Sequence, residues 1–342
     1  MQGLVFDGDR RVSLRDFPDP KPGEGEIVIR VTASGMCGSD LHYYRASAES
    51  TPDSTTACVG GHEPAGIVQE LGPGSGTGLA VGDRVMIHHY AGCGHCVPCR
   101  SGWTQMCTTG APLVYGKNAH GAHAPYMQVS ARSALPLSDS LSFEAGAAIG
   151  CGTGTAWGAL ERLGDIGGTD VVVFGQGPVG ISATMLAAAR GARVIAVDLE
   201  PERLAQSSRF GAADTVDAGS VDAVAAIREL TGGSGASAAV ETSGATAAAA
   251  SAVEALAPWG RLCVVGLGGT VELDVRRYLS RQLTVMTSWS MSSVQQLECA
   301  DFIDRHSLPV DDLFSDRWSL DQAEEAYIKF DKQDAGKGVF VF

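Results

Sequence analysis

The sequence predicts an α/β protein in two parts. A β-rich domain is expected over residues 1–150 and a doubly wound parallel-sheet domain over 151–290, with 291–342 rejoining the first. Three observations predict this. Short β-branched runs broken by Gly and Pro fill the first half. From Val171 onward, apolar runs alternate with alanine-rich helical patterns. The first of those runs ends in Gly175-Gln176-Gly177-Pro178-Val179-Gly180, a glycine-rich turn that opens a helix. A length of 342 residues also favours two domains, since single cores seldom exceed roughly 250–300 residues.

A formal net charge of −14 and the lack of any basic run argue against nucleic-acid or anionic-membrane partners. No apolar stretch approaches the roughly 20 residues that span a bilayer. The start, MQGLVFDGDRRVSL, enters strand-like alternation without a basic-then-apolar signal. A cytoplasmic protein is expected. Nine cysteines, an odd number without a secretion signal, point to metal or thiol chemistry rather than disulfides.

In the first half, residues 26–32, 66–70, 83–88 and 126–129 read as strands. Pro18, Pro20 and Pro22 break the chain early, and residues 72–76 form a turn. After the first of these runs comes Gly35-Met36-Cys37-Gly38-Ser39-Asp40-Leu41-His42. A thiol, a hydroxyl, a carboxylate and an imidazole fall close together just past a strand, where a fold can aim several side chains at one point. Residues 45–58 read as a solvated loop.

In Gly60-Gly61-His62-Glu63-Pro64, His and Glu cannot both face one way on extended chain. One is then a ligand, and the other stands behind it or alternates with it. Cys93, Cys96, Cys99 and Cys107 offer four thiolates at the spacing of a closed, structural zinc site. An iron–sulfur cluster also takes four cysteines, but the spacing suits zinc better; His95 lies between the ligands without binding. Cys151 opens a helix-like run at the junction of the halves. With Cys37 and His62 it makes two sulfurs and one nitrogen, the donor set of a catalytic zinc with its fourth position open.

In the second half, the strand Val171–Phe174, the glycine-rich turn, a helix to Arg190 and a second strand ending on Asp198 form a dinucleotide-binding pattern. Gly175 permits the tight turn, Gly177 lets a pyrophosphate approach the backbone, and Gly180 lets helix and strand pack. Pro178 and Val179 begin the helix whose N-terminus meets the phosphate. Asp198 can accept the ribose hydroxyls, and with Glu200 it would repel a 2′-phosphate, so NAD is expected over NADP. Arg203 could swing toward such a phosphate, but a solvated helix position is expected for it. Further strands are predicted at 214–216, 238–241, 262–265 and 283–286, with helices at 219–230 and 245–257. The loops carrying Thr242, Val265, Gly266 and Ser288 should line the nicotinamide half of the cofactor site. The chain ends in an edge-like strand, Gly338–Phe342, expected to rejoin the first domain.

Taken together, GMCGSDLHYY, GHEPAG, VGDRV, CGHCVPC with a later cysteine, IGCGTGTA and VVVFGQGPVG followed by Asp198 resemble the zinc-dependent medium-chain alcohol and polyol dehydrogenases. The resemblance spans essentially the whole chain. It implies a GroES-like catalytic domain and a Rossmann domain. It also implies an NAD- and zinc-dependent enzyme that interconverts an alcohol and its ketone or aldehyde, with one catalytic and one structural zinc per chain. Cys37, His62 and Cys151 then match the catalytic ligands, a donor set for which alcohol dehydrogenase is itself the established example. Glu63 resembles a transient ligand, and Asp40 the acid that orients a ligating histidine. Ser39 and His42 resemble a proton relay linked through the nicotinamide ribose. His89 resembles a pocket-lining residue, joined by Tyr90 and Trp289. A homodimer or homotetramer is implied, with the edge at Leu283–Thr287 pairing across a two-fold axis.

Departures from the family pattern refine the expectation. CGSDLHYY is closest to the polyol branch, yet polyol dehydrogenases commonly carry glutamate near position 151 and need not keep the four-cysteine lobe. Gly38 stands where liver-type enzymes carry a phosphate-contacting arginine, which leaves the pyrophosphate to the helix N-terminus. His89 makes the pocket polar and points to a polar, cyclic or polyhydroxylated secondary alcohol. The alternatives are an NADP-preferring alcohol dehydrogenase or carbonyl reductase, and a non-catalytic dinucleotide-binding zinc protein. The latter has no use for Cys37, Ser39, His42, His62 and Cys151 together. A zinc-independent quinone or enoyl reductase is at odds with the intact ligand set.

Overall fold

The computed structural model describes residues 1–50, 57–76, 78–334 and 336–342, so residues 51–56 of the loop expected over 45–58 lie outside the described residues. The chain forms two compact units, Met1–Cys151 with Ser292–Phe342, and Gly152–Met291.

The first unit is built on a mainly antiparallel sheet in the order Phe314–Trp318, Lys337–Val341, Glu26–Gly35, Glu63–Leu71, Arg84–Ile87, Ala134–Pro136, with Tyr126–Ser130 also pairing Glu26–Gly35. Alternating apolar residues of these strands (Ile27, Ile29, Val31, Val68, Val85 and Ile87) make its core. The last strand corrects the sequence reading: Lys337–Val341 lies inside the sheet, parallel to Phe314–Trp318 and antiparallel to Glu26–Gly35. Its continuous apolar run is buried as interior strands are, and the shielding of the edge falls to the more polar Phe314–Trp318.

The second unit is a six-stranded, wholly parallel sheet. Its order is Ala212–Asp217, Arg193–Asp198, Asp170–Phe174, Ala236–Glu241, Leu256–Val264, Thr284–Thr287. Numbered along the chain this is 3-2-1-4-5-6, the doubly wound order that places a cofactor at the strand ends. The strand predicted at 262–265 begins at Leu256 instead. Pro258 and a left-handed Trp259 (φ 64°) disturb its start and hide the pairing of Ala236 with Leu256 from a pattern reading. No helix among the described residues is long and apolar enough to cross a membrane.

Two histidines sit deep in the first unit. His88 Nδ1 meets Gln296 Oε1 at 3.0 Å, and His123 bridges Ser34 and Tyr327. Burial pushes both down to about 4. In the unfolded chain they would take up protons near pH 6.5, so stability is full above that pH and falls as pH drops from about 6.5 to 4. The loss is up to about 3 kcal/mol for each histidine. Thermal melts between pH 7 and 4.5 should show this slope, and His88→Gln should flatten it; an unchanged slope would remove His88 from the account.

Candidate active site

Three stretches of the first unit deliver the donor atoms. The strand Glu26–Gly35 ends just before Cys37, the strand Glu63–Leu71 begins just after His62, and Cys151 follows the helix Phe143–Ile149. Antiparallel pairing of Gly35 with Glu63 brings the first two together. Gly35 has to lack a side chain, because a Cβ there would lie 2.2 Å from Glu63 Oε2. One donor atom from each of Cys37, His62, Glu63 and Cys151 lies within 4.8 Å of the others. The sulfurs of Cys37 and Cys151 are 3.8 Å apart. Zinc–sulfur bonds of about 2.3 Å in a tetrahedron require an edge of roughly 3.8 Å. His62 Nδ1 meets Asp40 Oδ1 at 3.1 Å, which leaves Nε2 as the donor atom. The donor set and its spacing fit zinc.

The groups of this cluster set one another's charge. The hydrogen bond between the two thiols holds Cys37 well below the usual thiol range and pushes Cys151 well above it. Burial works against a charged His62, but Asp40 and Cys37 outweigh it and raise its pKa. Burial lifts Glu63 to about 8 against the pull of Lys337. Lys337 was not recognisable as a site residue in the motif reading. Its Nζ lies 2.6 Å from Glu63 Oε2 and donates to the Met36 carbonyl at 2.7 Å. A lysine opening an otherwise apolar strand was the available signal. Glu63 Oε1 is buried with no hydrogen-bond partner among the described residues, an acceptor left over beside the other donors.

Ser39 leads into the short helix Asp40–Arg45 but makes no capping bond, and its Oγ lies 3.3 Å from His62 Nε2. His42, on that helix, is exposed, whereas Asp40 is buried. His89 Nδ1 donates to the Gly150 carbonyl at 2.9 Å, which leaves Nε2 as an acceptor. Burial, with the charge on His62, keeps His89 neutral, well below the usual range. Its ring lies 5.2 Å from that of His62 and 4.0 Å from that of Tyr90. Trp289 belongs to the second unit and is 54% exposed.

The thiols of Cys93, Cys96, Cys99 and Cys107 also converge. Their sulfurs approach to 3.9 Å (Cys93–Cys99) and 4.0 Å (Cys96–Cys107), again close to a zinc–thiolate edge. His95 is not among them; it is exposed and contacts the Cys93 carbonyl. Gly92 makes the approach possible, since a Cβ there would lie 2.5 Å from Cys99 Sγ. Bonds from Thr109 and from the N–H groups of Cys96 and His95 bring Cys93 to about 5, while burial pushes Cys99 up to about 12. Val97 is 81% and Met106 53% exposed, so this lobe has little apolar core of its own.

In the second unit the glycine-rich turn has the form its sequence demands. Gly175 has φ 84°, Gly177 faces open space, and a Cβ on Gly180 would lie 1.7 Å from the Gly175 carbonyl. Gly177 leads into the helix Pro178–Ala189, with Val179 in its first turn. Asp198 Oδ2 accepts the Gln176 N–H at 2.5 Å, and Oδ1 accepts those of Leu199 and Glu200, so the acid braces the turn. Arg203 is not the solvated residue expected: its side chain is only 19% exposed, with a guanidinium nitrogen 3.8 Å from Asp198 Oδ2. The Thr242 hydroxyl donates to the carbonyls of Phe174 and Gly175, tying its loop to the turn. Val265 and Gly266 follow the strand Leu256–Val264, both N–H groups bonded to the Glu241 carbonyl, and Ser288 follows Thr284–Thr287.

Comparison with known proteins gives the family. Residues 23–139 match the family model of the alcohol dehydrogenase GroES-like domain, and 178–305 that of the zinc-binding dehydrogenases. The chain is 38% identical to the uncharacterized zinc-type alcohol dehydrogenase-like protein YphC of Escherichia coli, over 100% of this chain and 99% of that one. It is 35% identical to an alcohol dehydrogenase of Geobacillus stearothermophilus, over 75% of this chain and 74% of the relative. The solved alcohol dehydrogenase TADH from Thermus sp. ATN1 superposes with a TM-score of 0.90 at 28% identity, covering 100% of this chain and 99% of that one. The chain belongs to the medium-chain dehydrogenase/reductase family and is, at that level, an alcohol oxidoreductase.

Proposed function

We propose that this chain uses NAD and zinc to interconvert a polar, cyclic or polyhydroxylated secondary alcohol and its ketone. The observation that carries the reading is the convergence of Cys37, His62 and Cys151 with the Ser39 hydroxyl beside His62 Nε2. Bound zinc supplies Lewis acidity to the substrate oxygen, and bound NAD supplies the hydride acceptor. Cys37, Cys151 and His62 Nε2 would hold the ion, and Asp40 keeps the other nitrogen of His62 occupied. Ser39 takes the substrate proton, and exposed His42 exchanges it with solvent. Neutral His89, with Nε2 free to accept, favours a substrate that carries a further hydroxyl. Asp198 supports NAD over NADP, since a carboxylate there can accept ribose hydroxyls and would repel a 2′-phosphate. The strand Thr284–Thr287, at the edge of its sheet, suits pairing across a two-fold axis in a homodimer or homotetramer.

A panel of polyols, inositols, aliphatic and aromatic alcohols, assayed for NADH formation with NADP as control, tests the substrate reading. Polar secondary alcohols with NAD should give the highest kcat/KM; preference for simple aliphatic alcohols or for NADP would overturn it. Ser39→Ala should lower turnover about 100-fold or more while leaving NAD affinity unchanged. Unchanged turnover would remove Ser39 from the relay.

A further inference from the structure

Asp40 is held by more than the histidine it orients. Its Oδ2 accepts the Cys37 N–H at 3.0 Å and the Tyr327 hydroxyl at 3.4 Å. The Tyr327 oxygen lies 2.8 Å from His123 Nε2, and His123 Nδ1 lies 2.8 Å from Ser34 Oγ. Ser34, His123 and Tyr327 are fully buried and Asp40 is 1% exposed, so bulk solvent does not reach these groups.

The direction of the chain follows from what each group can do. A carboxylate only accepts, so Tyr327 must donate to Asp40. The tyrosine oxygen then accepts from His123, which places the imidazole hydrogen on Nε2. Burial holds His123 neutral, with a pKa of about 4, so Nδ1 carries no hydrogen and accepts from Ser34. Every donor points toward Asp40: Ser34 to His123, His123 to Tyr327, Tyr327 to the acid.

The backbone that carries His123 also braces the chain in front of His62. Ala122 N–H donates to the Gly61 carbonyl at 3.0 Å and His123 N–H to that of Gly60 at 2.9 Å. Gly61 is left-handed (φ 82°), and a Cβ there would lie 2.4 Å from His123 Nδ1. Phe340 packs edge-on against His123 at 4.7 Å and Phe6 against Tyr327 at 5.0 Å, which fixes both rings.

We propose that Tyr327 and His123 are positioning residues for the histidine ligand, completing the donors to Asp40 so that His62 Nε2 stays turned to the ion. The inference rests on the reading of Cys37, His62 and Cys151 as zinc ligands. A ligating histidine owes its orientation and basicity to the carboxylate behind it, and that carboxylate depends in turn on its own donors. Tyr327→Phe removes one donor without removing the ring, and it also strands the buried His123 N–H.

The zinc-loaded full-length chain and its Tyr327→Phe, His123→Phe and His123→Gln variants are compared by zinc release to a colorimetric chelator, by kcat and KM, and by thermal melting. Both Phe variants should release one of two zinc ions about tenfold faster, the lower end of what an outer-sphere partner is worth. The four-cysteine zinc should leave at the wild-type rate, and kcat should fall with KM for NAD unchanged. His123→Gln, whose amide can donate in place of Nε2, should return release toward wild type. Unchanged release in both Phe variants overturns the inference. So does parallel acceleration of both ions with a lower melting temperature and no rescue by Gln, which marks general loosening. A wild-type chain that releases a single zinc overturns the ligand assignment and this inference with it; two ions with unaltered release overturn this inference alone.

Discussion

Cys37→Ala is expected to leave one bound zinc per chain instead of two and to lower turnover by at least about 1,000-fold. A Lewis acid at the reacting oxygen is worth several kcal/mol, and each 1.36 kcal/mol is a factor of ten. The remaining donors are poor substitutes. Glu63 is held through Oε2 by Lys337 at 2.6 Å, and Cys151 loses the neighbour that shares its proton. Metal analysis with steady-state kinetics checks the prediction, and circular dichroism checks that the variant is folded. Two zinc ions with near-normal turnover would sink the assignment of Cys37.

Cys99→Ser should have the largest effect on stability. This thiol is 9% exposed, and burial pushes it to about 12, so only a bound cation makes its thiolate favourable at neutral pH. Closed four-thiolate zinc sites contribute on the order of 10 kcal/mol to folding of their segment. With Val97 and Met106 exposed, the lobe has little else to hold it. Loss of the ion should therefore open the segment from Gly92 to Cys107 to protease while the rest of the chain stays resistant. The damage should spread toward the site, because Thr104 Oγ1 donates to the Tyr90 carbonyl at 3.2 Å and Tyr90 packs on His89. Retention of both zinc ions would remove Cys99 as a required ligand, and an uncleaved lobe after loss of the ion would mean that packing rather than the metal holds the segment.

Much of the molecule was legible before its structure. Period-two runs in the first half and buried runs alternating with helices in the second are local consequences of which faces must be covered. The glycine-rich turn was equally legible, because φ 84° at Gly175 and the 1.7 Å approach at Gly180 tolerate no side chain. The burial of Arg203 against Asp198 was not, since a charged residue on a helix gives no local sign of what it faces. The interior place of Lys337–Val341 was hidden for the same reason: a short apolar strand reads alike at an edge and in the middle of a sheet.

The candidate site divides along the same line. The two-part architecture, the glycine-rich turn and the inventory of donors (Cys37, His62, Cys151 and the four-cysteine lobe) are written along the chain, because spacing and residue chemistry are local properties. That Cys37 and Cys151, 114 residues apart, stand 3.8 Å from one another comes from the folding of the whole unit. So do the pairing of Lys337 with Glu63 and the placing of Tyr327 and His123 behind Asp40. Those partners come from distant segments and are joined by sheet register and burial. A buried polar group must find its partner wherever the fold places one, and no local pattern encodes that meeting.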